Sequence, residues 1–333
     1  MSNRAKTIFI VILLCVLGWS VFRLADASRG AAQTQAVSSA EDDRVRVALS
    51  LGGDLTPWET DLIDDLSQSC AAQNFELVYN DPAEDTASWQ LEDIRSLLEQ
   101  DVRYLILCPS DNSMLGEVKT LADSKGVSII LVASDLKLAG ECTSMIYING
   151  YAEGELCAKA LLNTYGTTRD CHIIEIYGPE GSPIAASRDQ GFRAAISDYP
   201  NLHIMKTCYG GFSQLTAKNA IEELISANPK GTFNAVFACG DEDGLGALQA
   251  FKIAGYNPGT DVSIVSISGI QDTKKAIIAG EYTATVESSR HLGSVAIAII
   301  TRLEAGEDVS KLFAMPFRLC TADNLSAYEP TLY

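Results

Sequence analysis

Short apolar runs alternate with longer amphipathic segments along most of the chain. The first run, 45–51, has the composition of a strand and ends at a pair of glycines. A helix is predicted over 57–73, because Leu62, Leu66 and Cys70 repeat every four residues on one face. The alternation of strand and helix predicts right-handed crossovers and a doubly wound parallel sheet. Further strands in this half are predicted over 75–79, 104–108 and 127–132, and further helices over 86–100 and 114–124.

The same pattern starts again in the second half of the chain. A short strand at 145–148 leads into a helix that opens within 149–154 and runs to about residue 165. Two runs of this kind predict two similar α/β lobes, and a ligand would lie between the facing carboxyl edges of their sheets. Later strands are predicted over 172–177, 203–208, 235–238, 262–268 and 282–286, and later helices over 187–199, 214–227, 243–254, 272–279 and 289–304.

The N-terminal segment differs from the body in composition. Arg4 and Lys6 precede an almost unbroken apolar run at 7–22. This pattern is typical of an export segment, and its length leaves open a cleaved signal peptide or a retained anchor, because a full span takes about 20 apolar residues. We predict a signal or anchor over 1–27 and a linker over 28–43, so the body is expected outside the cytoplasmic membrane.

Composition argues against several classes of function. The formal net charge of −18 repels phosphate backbones, so no nucleic-acid partner is expected. The chain has three histidines and lacks a nucleophile elbow, a phosphate loop and a dinucleotide fingerprint, so we expect neither catalysis nor a cofactor. The nine cysteines are scattered without the spacing of metal ligands. Cys108 and Cys239 end apolar strands and are expected to be buried thiols. Cys171 and Cys208 lie near neighbouring predicted strands, and a bridge between them is an alternative to two free thiols.

Polar and aromatic side chains collect in the loops that follow the predicted strands. Trp58 stands at the start of a helix, where Thr56 and Glu59 form a predicted capping box. Aromatic faces beside carboxylates, amides and an arginine suit a polyhydroxylated ligand, because sugar C–H groups stack while hydroxyls pair with polar groups. The alternatives are a solvated loop position or a helix cap for each charged residue, and for Trp58 a purely structural role in packing the helix onto the sheet. The loop candidates are Trp58, Ser110, Asp111, Asn112, Ser134, Asp135, Arg188, Phe212, Asp241, Ser268 and Asp272.

Several local sequences carry a family resemblance over about residues 44–323. They are Pro57-Trp58, Cys108-Pro109-Ser110-Asp111, Ile148-Asn149 before Gly154, Arg188-Asp-Gln-Gly-Phe192, Gly211-Phe212, Phe237-Ala-Cys-Gly-Asp-Glu-Asp-Gly-Leu-Gly-Ala247 and Tyr282-Thr-Ala-Thr-Val286. In this order they resemble the sugar-binding proteins of the ribose and galactose type, which have the type I periplasmic binding fold. The resemblance implies that the two sugar-stacking aromatic residues are Trp58 and Phe212. It also implies that the guanidinium group of Arg188 donates hydrogen bonds to ligand oxygens, and that Asn149 lies at the crossing between the lobes.

The sequence departs from the family's pattern in four places, which disfavours ribose and leaves the identity of the ligand open. They are Gly240, before Asp241, where many members have asparagine; Ala133-Ser134, before Asp135, where the family has Asp-Arg; Ser268, where it has aspartate; and Ser288, beside Glu287, where it has a hinge glutamine. The residues predicted to bind the ligand are Trp58, Asp111, Asp135, Asn149, Arg188, Phe212, Asp241, Ser268 and Glu287.

The resemblance also implies an architecture and a role. Two lobes, 44–148 with 289–316 and 149–288 with 317–333, would be joined by a three-strand hinge and close over a small polar ligand, most simply a monosaccharide. The ligand would be delivered to the membrane permease of an ABC importer. Alternatively, a tethered protein would present a ligand, sugar or other, to a sensor kinase or chemoreceptor. The body is expected to be monomeric and to meet the membrane only through its N-terminal segment.

Overall fold

The computed structural model of the chain describes residues 44–52, 57–82, 86–289 and 291–325. These residues form two α/β lobes, each built on a six-stranded sheet, which confirms the predicted fold class. The predicted export segment at 1–27, the linker at 28–43 and Thr56 of the predicted capping box lie outside the described residues. None of the helices within the described ranges is long and apolar enough to cross a membrane.

Sheet 1, in the first lobe, has only parallel strands, in the order β11-β5-β4-β3-β1-β2. Its strands are β1 (Arg46–Leu51), β2 (Glu76–Val78), β3 (Tyr104–Cys108), β4 (Ser128–Ala133), β5 (Ser144–Tyr147) and β11 (Leu312–Ala314). The helices of this lobe are α1 (Pro57–Ala72), α2 (Ala87–Leu98), α3 (Leu115–Lys125) and α9 (Leu292–Glu304).

Successive residues of the central strands pack on opposite faces of sheet 1, as the two-residue period of a strand requires. In β3, Ile106 belongs to the same core as Leu66 of α1, and α9 closes that core. Its neighbour Leu105 belongs to the core on the other face, with Leu97 of α2. All four side chains are fully buried. Both faces are therefore covered, and the loops that follow the strands are left at the edge of the sheet.

Sheet 2 repeats this arrangement in the order β12-β10-β9-β8-β6-β7, with only β12 antiparallel to its neighbour. Its strands are β6 (Cys171–Tyr177), β7 (Leu202–Tyr209), β8 (Ala235–Ala238), β9 (Ser263–Ser268), β10 (Ala284–Ser288) and β12 (Phe317–Thr321). Its helices are α4 (Gly150–Tyr165), α5 (Pro183–Ile196), α6 (Gln214–Ser226), α7 (Asp241–Ile253), α8 (Gln271–Ile278) and α10 (Ala322–Leu325).

Three connections link the two lobes within the described residues: from β5 to α4, from β10 to α9 and from β11 to β12. They fall where the resemblance implies crossings, near 148–150, 287–289 and 315–318. The exact lobe boundaries, 44–148 with 289–316 and 149–288 with 317–333, stay a prediction.

Two glycines bring helices α4 and α5 close together. A Cβ atom added to Gly154 would lie 2.0 Å from the backbone oxygen of Arg188, and one added to Gly191 would lie 1.8 Å from that of Tyr151. Any larger residue at either position would push the helices apart. The close approach of the two helices holds Arg188 of α5 beside Glu153 of α4, and both residues line the cavity between the lobes.

The eight cysteines in the described part of the chain are free thiols. Cys171 lies opposite Leu202 and Cys208 lies opposite Ile176 in the pairing of β6 with β7. The two thiols are thus separated by roughly 16 Å along the strands, far beyond the reach of a disulfide. This excludes the alternative of a Cys171–Cys208 bridge. Burial raises the pKa of each of these two thiols to about 12.

Glu175, in β6, is a fully buried carboxylate with an incomplete set of partners. Its Oε2 atom accepts a hydrogen bond from Thr207 Oγ1 at 2.8 Å and pairs with Arg193, but Oε1 has no partner among the described residues. Asp189 competes for the same arginine. Burial, and after it the neighbouring Asp189 carboxylate, raise the pKa of Glu175 to about 8.

We expect Glu175→Gln to weaken the pH dependence of folding stability. A carboxyl with a raised pKa holds its proton more tightly in the folded state, so it stabilises the protein at low pH, and this contribution is lost as the pH rises toward 8. One such group changes the free energy of unfolding by at most about 1.4 kcal/mol per pH unit. Urea unfolding at pH 5, 6.5 and 8 should give a smaller slope for the variant, and equal slopes would contradict this assignment.

Candidate functional site

A cavity of about 300 Å³ lies between the two lobes, at the carboxyl ends of both sheets. Loops that follow β1, β3, β4, β5 and β11 line it from the first lobe. Loops that follow β6 and β7 line it from the second lobe, together with Ser268 at the end of β9 and Glu242 in α7. Ser288 and Ser289, at the connection from β10 to α9, close its hinge side. We call this space the interlobe cavity.

Two aromatic rings line the interlobe cavity from opposite lobes. Trp58, the second residue of α1, is half-buried and packs against the core of the first lobe. Phe212, in the loop between β7 and α6, packs against a core of the second lobe. A flat ligand can therefore meet an aromatic surface on each side.

The backbone conformation and the neighbouring glycines fix the position of the Phe212 ring. Phe212 has a φ of +57°, which is uncommon for a residue with a side chain. Its ring lies against Gly178 and Gly240, where added Cβ atoms would come within 2.6 and 2.7 Å of ring carbons. The buried Asp243 carboxylate accepts a hydrogen bond from the backbone N–H of Ser213 at 3.2 Å and fixes the loop. Burial raises the pKa of Asp243 well above its ordinary value.

Arg188 is a buried cation at the floor of the interlobe cavity. Its Nε atom donates to Glu153 Oε2 at 2.9 Å, and its Nη1 atom donates to the backbone oxygen of Cys239 at 2.9 Å. The other oxygen of Glu153 accepts a hydrogen bond from Ser288 Oγ at the hinge. Arg188, Glu153 and Ser288 all line the cavity. Two of the arginine's nitrogens are thus occupied, and Nη2 makes no hydrogen bond among the described residues.

Ser268 lines the interlobe cavity from a strained turn at the end of β9. Its φ is +148°, and for a residue other than glycine such a value costs about 1–3 kcal/mol. The buried Asp241 carboxylate holds this turn by accepting hydrogen bonds from Ile270 N at 2.8 Å and from Thr285 Oγ1 at 2.7 Å. Burial raises the pKa of Asp241. Asp241 does not line the cavity; it supports the turn that presents Ser268.

Glu59 and Glu242 bring carboxylates to the interlobe cavity from opposite lobes. Burial raises the pKa of Glu242, and the charges of Asp241 and Glu59 add to this effect. Two further polar atoms belong to residues that line the cavity: Ser110 Oγ and Asn112 Oδ1 are buried and have no partner among the described residues. A buried oxygen without a hydrogen bond is costly, so both atoms favour a ligand that can supply one.

Of the nine predicted site residues, Trp58, Arg188, Phe212 and Ser268 line the interlobe cavity, and the other five do not. Asp111, Asp135 and Asn149 are helix N-caps that accept hydrogen bonds from the backbone N–H groups of nearby residues. Asp241 supports the Ser268 turn, and Glu287 pairs with Lys274 and Arg318 beside the hinge. These two pairings lower the pKa of Glu287 although its burial opposes them.

Sequence reasoning did not single out Glu153 and Glu242 as site residues, and it assigned Glu59 to a helix cap only. Glu242 lies in the first turn of α7, four residues after the end of β8, so its position in the chain was a usable signal. Glu153 has no such signal, because only the close packing of α4 on α5 brings it to the cavity. Within the described ranges, no cluster of three or more metal-ligating side chains occurs.

Comparison with known proteins agrees with this geometry. The periplasmic binding protein domain family matches residues 47–308. The galactofuranose-binding protein of Escherichia coli K12 is 28% identical over 73% of this chain and 74% of its own length. The ribose import binding protein of the same organism is 24% identical over 89% of this chain and 97% of its own length.

A solved structure gives a similar match. The binding protein of an arabinose ABC transporter from Shewanella sp. ANA-3, bound to α- and β-L-arabinofuranose, has a TM-score of 0.79 at 28% identity, covering 85% of this chain and 94% of that chain. Members of the matched family are non-enzymatic and act outside the cytoplasm. The chain therefore belongs to the periplasmic binding protein domain family, as a type I solute-binding protein of the ribose and galactose type.

Proposed function

We propose that the protein binds a monosaccharide in the interlobe cavity and delivers it to the permease of an ABC importer. The observation that carries this proposal is the pair of rings, Trp58 and Phe212, which line one cavity from two lobes. The C–H faces of a sugar ring stack on aromatic surfaces of this kind. The relatives named above bind galactofuranose, ribose and arabinofuranose, which favours a ligand of the same class.

The polar groups of the cavity suit hydroxyl groups. Arg188 can donate through Nη2, and its guanidinium is held rigidly by Glu153 and Cys239. Glu242 has a carboxylate without an ion-pair partner among the described residues, so it can accept from ligand hydroxyls. Ser268 adds a hydroxyl that can donate and accept. Such a set recognises a neutral polyhydroxylated molecule without any metal or cofactor.

Binding would couple to closure of the lobes. The three connections near the cavity act as the hinge in this proposal, and a ligand that touches both rings favours the closed arrangement by its contacts with both lobes. A permease that recognises only the closed form would then receive only loaded protein. Uptake of a labelled sugar that is lost when the gene is deleted, and regained with the wild-type gene, is the test of delivery.

Thermal unfolding tests the binding proposal. The full-length chain, in a detergent without a sugar headgroup, is unfolded with and without single pentoses, hexoses and polyols, and intrinsic tryptophan fluorescence reports the transition. A ligand at 100 times its Kd adds about 2.7 kcal/mol of stability, so at least one compound should raise the Tm by several degrees. If the Tm stays constant with every compound, the sugar-binding proposal fails.

A further inference from the structure

One side of the interlobe cavity offers almost no hydrogen-bonding groups. Val132, Ala133, Ile148, Met315 and Pro316 line it there, and we call these residues the apolar wall. They stand at the carboxyl ends of β4, β5 and β11, which are neighbours in sheet 1. The wall is therefore one continuous surface, and every side chain in it is apolar.

Most of the backbone N–H and C=O groups described for the apolar wall already make hydrogen bonds within the protein. Ile148 N donates to Ala133 O at 3.0 Å, and the carbonyl oxygen of Ile148 accepts from Gly150 N at 2.9 Å. Met315 N donates to Tyr147 O at 2.9 Å, and Pro316 has no N–H group. A ligand that lies against this wall meets carbon and sulfur atoms and few free polar groups.

Some polar groups of the loops beside the wall are already occupied within the protein. Gln90, which is fully buried, donates to Cys108 O at 2.9 Å and accepts from Ser110 N at 2.8 Å. Ser134 Oγ, next to Ala133, donates across the cleft to Pro183 O at 3.4 Å. The backbone edge of β3 and the loop after β4 thus add little for a ligand to bind.

The polar groups that remain lie elsewhere around the cavity. Arg188, Glu242 and Ser268 belong to the second lobe, Glu59 to α1 and Ser289 to the hinge. The unpartnered oxygens of Ser110 and Asn112 belong to the loop after β3, the strand that borders the wall at β4. A fully hydroxylated sugar would have to press some of its hydroxyls against the apolar wall, where they would lose their hydrogen bonds to water without replacement. A sugar with a hydrogen or methyl group on that edge would not.

We propose that the ligand is a deoxy sugar, whose hydrogen-bonding edge meets Arg188, Glu242 and the loop after β3 while its methyl or methylene edge meets the apolar wall. This inference rests on the proposed function and narrows it to one class of monosaccharide. It makes Ala133 and Met315 specificity-determining residues, because their apolar side chains belong to the wall that the ligand edge without hydroxyls would meet.

Matched pairs of sugars test this inference. Isothermal titration of the full-length protein compares D-fucose with D-galactose, L-rhamnose with L-mannose, and 5-deoxy-D-ribose with D-ribose, so that each pair differs by one hydroxyl. We expect the deoxy member of at least one pair to bind about 10- to 100-fold more tightly, the range for one such change in an apolar pocket. If sugars bind but the hydroxylated member binds equally or more tightly in every pair, the inference is overturned and the proposed function stands.

Variants of the wall make the test specific. Ala133→Asp introduces a hydrogen-bonding group, and Met315→Gln introduces an amide of similar shape; each should shift the preference toward the hydroxylated member by about tenfold. Ala322→Asp makes the same change at an exposed position outside the cavity and should leave the preference unchanged. An unchanged preference in both folded wall variants would overturn the inference. If no sugar binds the wild type, the proposed function fails and this inference fails with it.

Discussion

Replacing Arg188 with methionine is expected to lower the free energy of unfolding by about 3–5 kcal/mol, the range found when one partner of a buried ion pair is removed. Glu153 is 1% exposed, and in this variant it would lose its cationic partner and keep only the Ser288 hydroxyl. The backbone oxygen of Cys239 would lose its donor as well. Urea unfolding of the full-length protein at pH 7 measures the loss.

Two controls separate the ion pair from other effects of the substitution. Arg188→Met combined with Glu153→Gln should be more stable than Arg188→Met alone, because the amide leaves no buried charge and can still accept from Ser288. Arg302→Met removes an arginine whose pair with Glu307 is half-exposed, so a change below about 1 kcal/mol is expected. If Arg188→Met lowers the free energy of unfolding by no more than Arg302→Met does, the ion pair does not stabilise this fold.

The fold is predictable from the sequence where burial alone determines the pattern. The apolar run 104–108 matches β3 residue for residue, because a strand covered on both faces needs no polar positions. Short or capped elements are harder to predict. β11 has three residues, which is too few to show a period. Helix α5 begins at Pro183 rather than at the predicted residue 187, because Ser182 and Pro183 form a helix-start signal that hydrophobic periodicity does not detect.

The candidate site is predictable only in part, for a related reason. The side chains of Asp111, Asp135 and Asn149 are short and immediately precede a helix, which is the position of an N-cap, so loop location alone does not distinguish a helix cap from a ligand contact. The roles of Phe212 and Arg188 are predicted from the family resemblance, through Gly211-Phe212 and Arg188-Asp-Gln-Gly-Phe192, and both residues line the interlobe cavity. The apolar wall is visible only in three dimensions, since three separate strands contribute to it.

Trp58→Ala is expected to weaken ligand binding by about 70-fold. Covering about 100 Å² of the indole ring contributes roughly 2.5 kcal/mol at 25 cal/mol per Å², and this free energy corresponds to about 70-fold in Kd. The ring lines the interlobe cavity opposite Phe212, so its loss removes one of two stacking surfaces. Isothermal titration with the sugar that gives the largest Tm shift measures the change, and it does not depend on tryptophan fluorescence.

The matched control is Trp89→Ala, which removes an indole from α2 outside the cavity lining. Both variants can lower the Tm of the free protein, because each ring is half-buried, but only Trp58→Ala should change Kd. This difference separates a ligand-binding role from the alternative in which Trp58 only fastens α1 to the sheet. A lower Tm with an unchanged Kd would establish that alternative, and it would leave Phe212 as the single aromatic surface for the sugar.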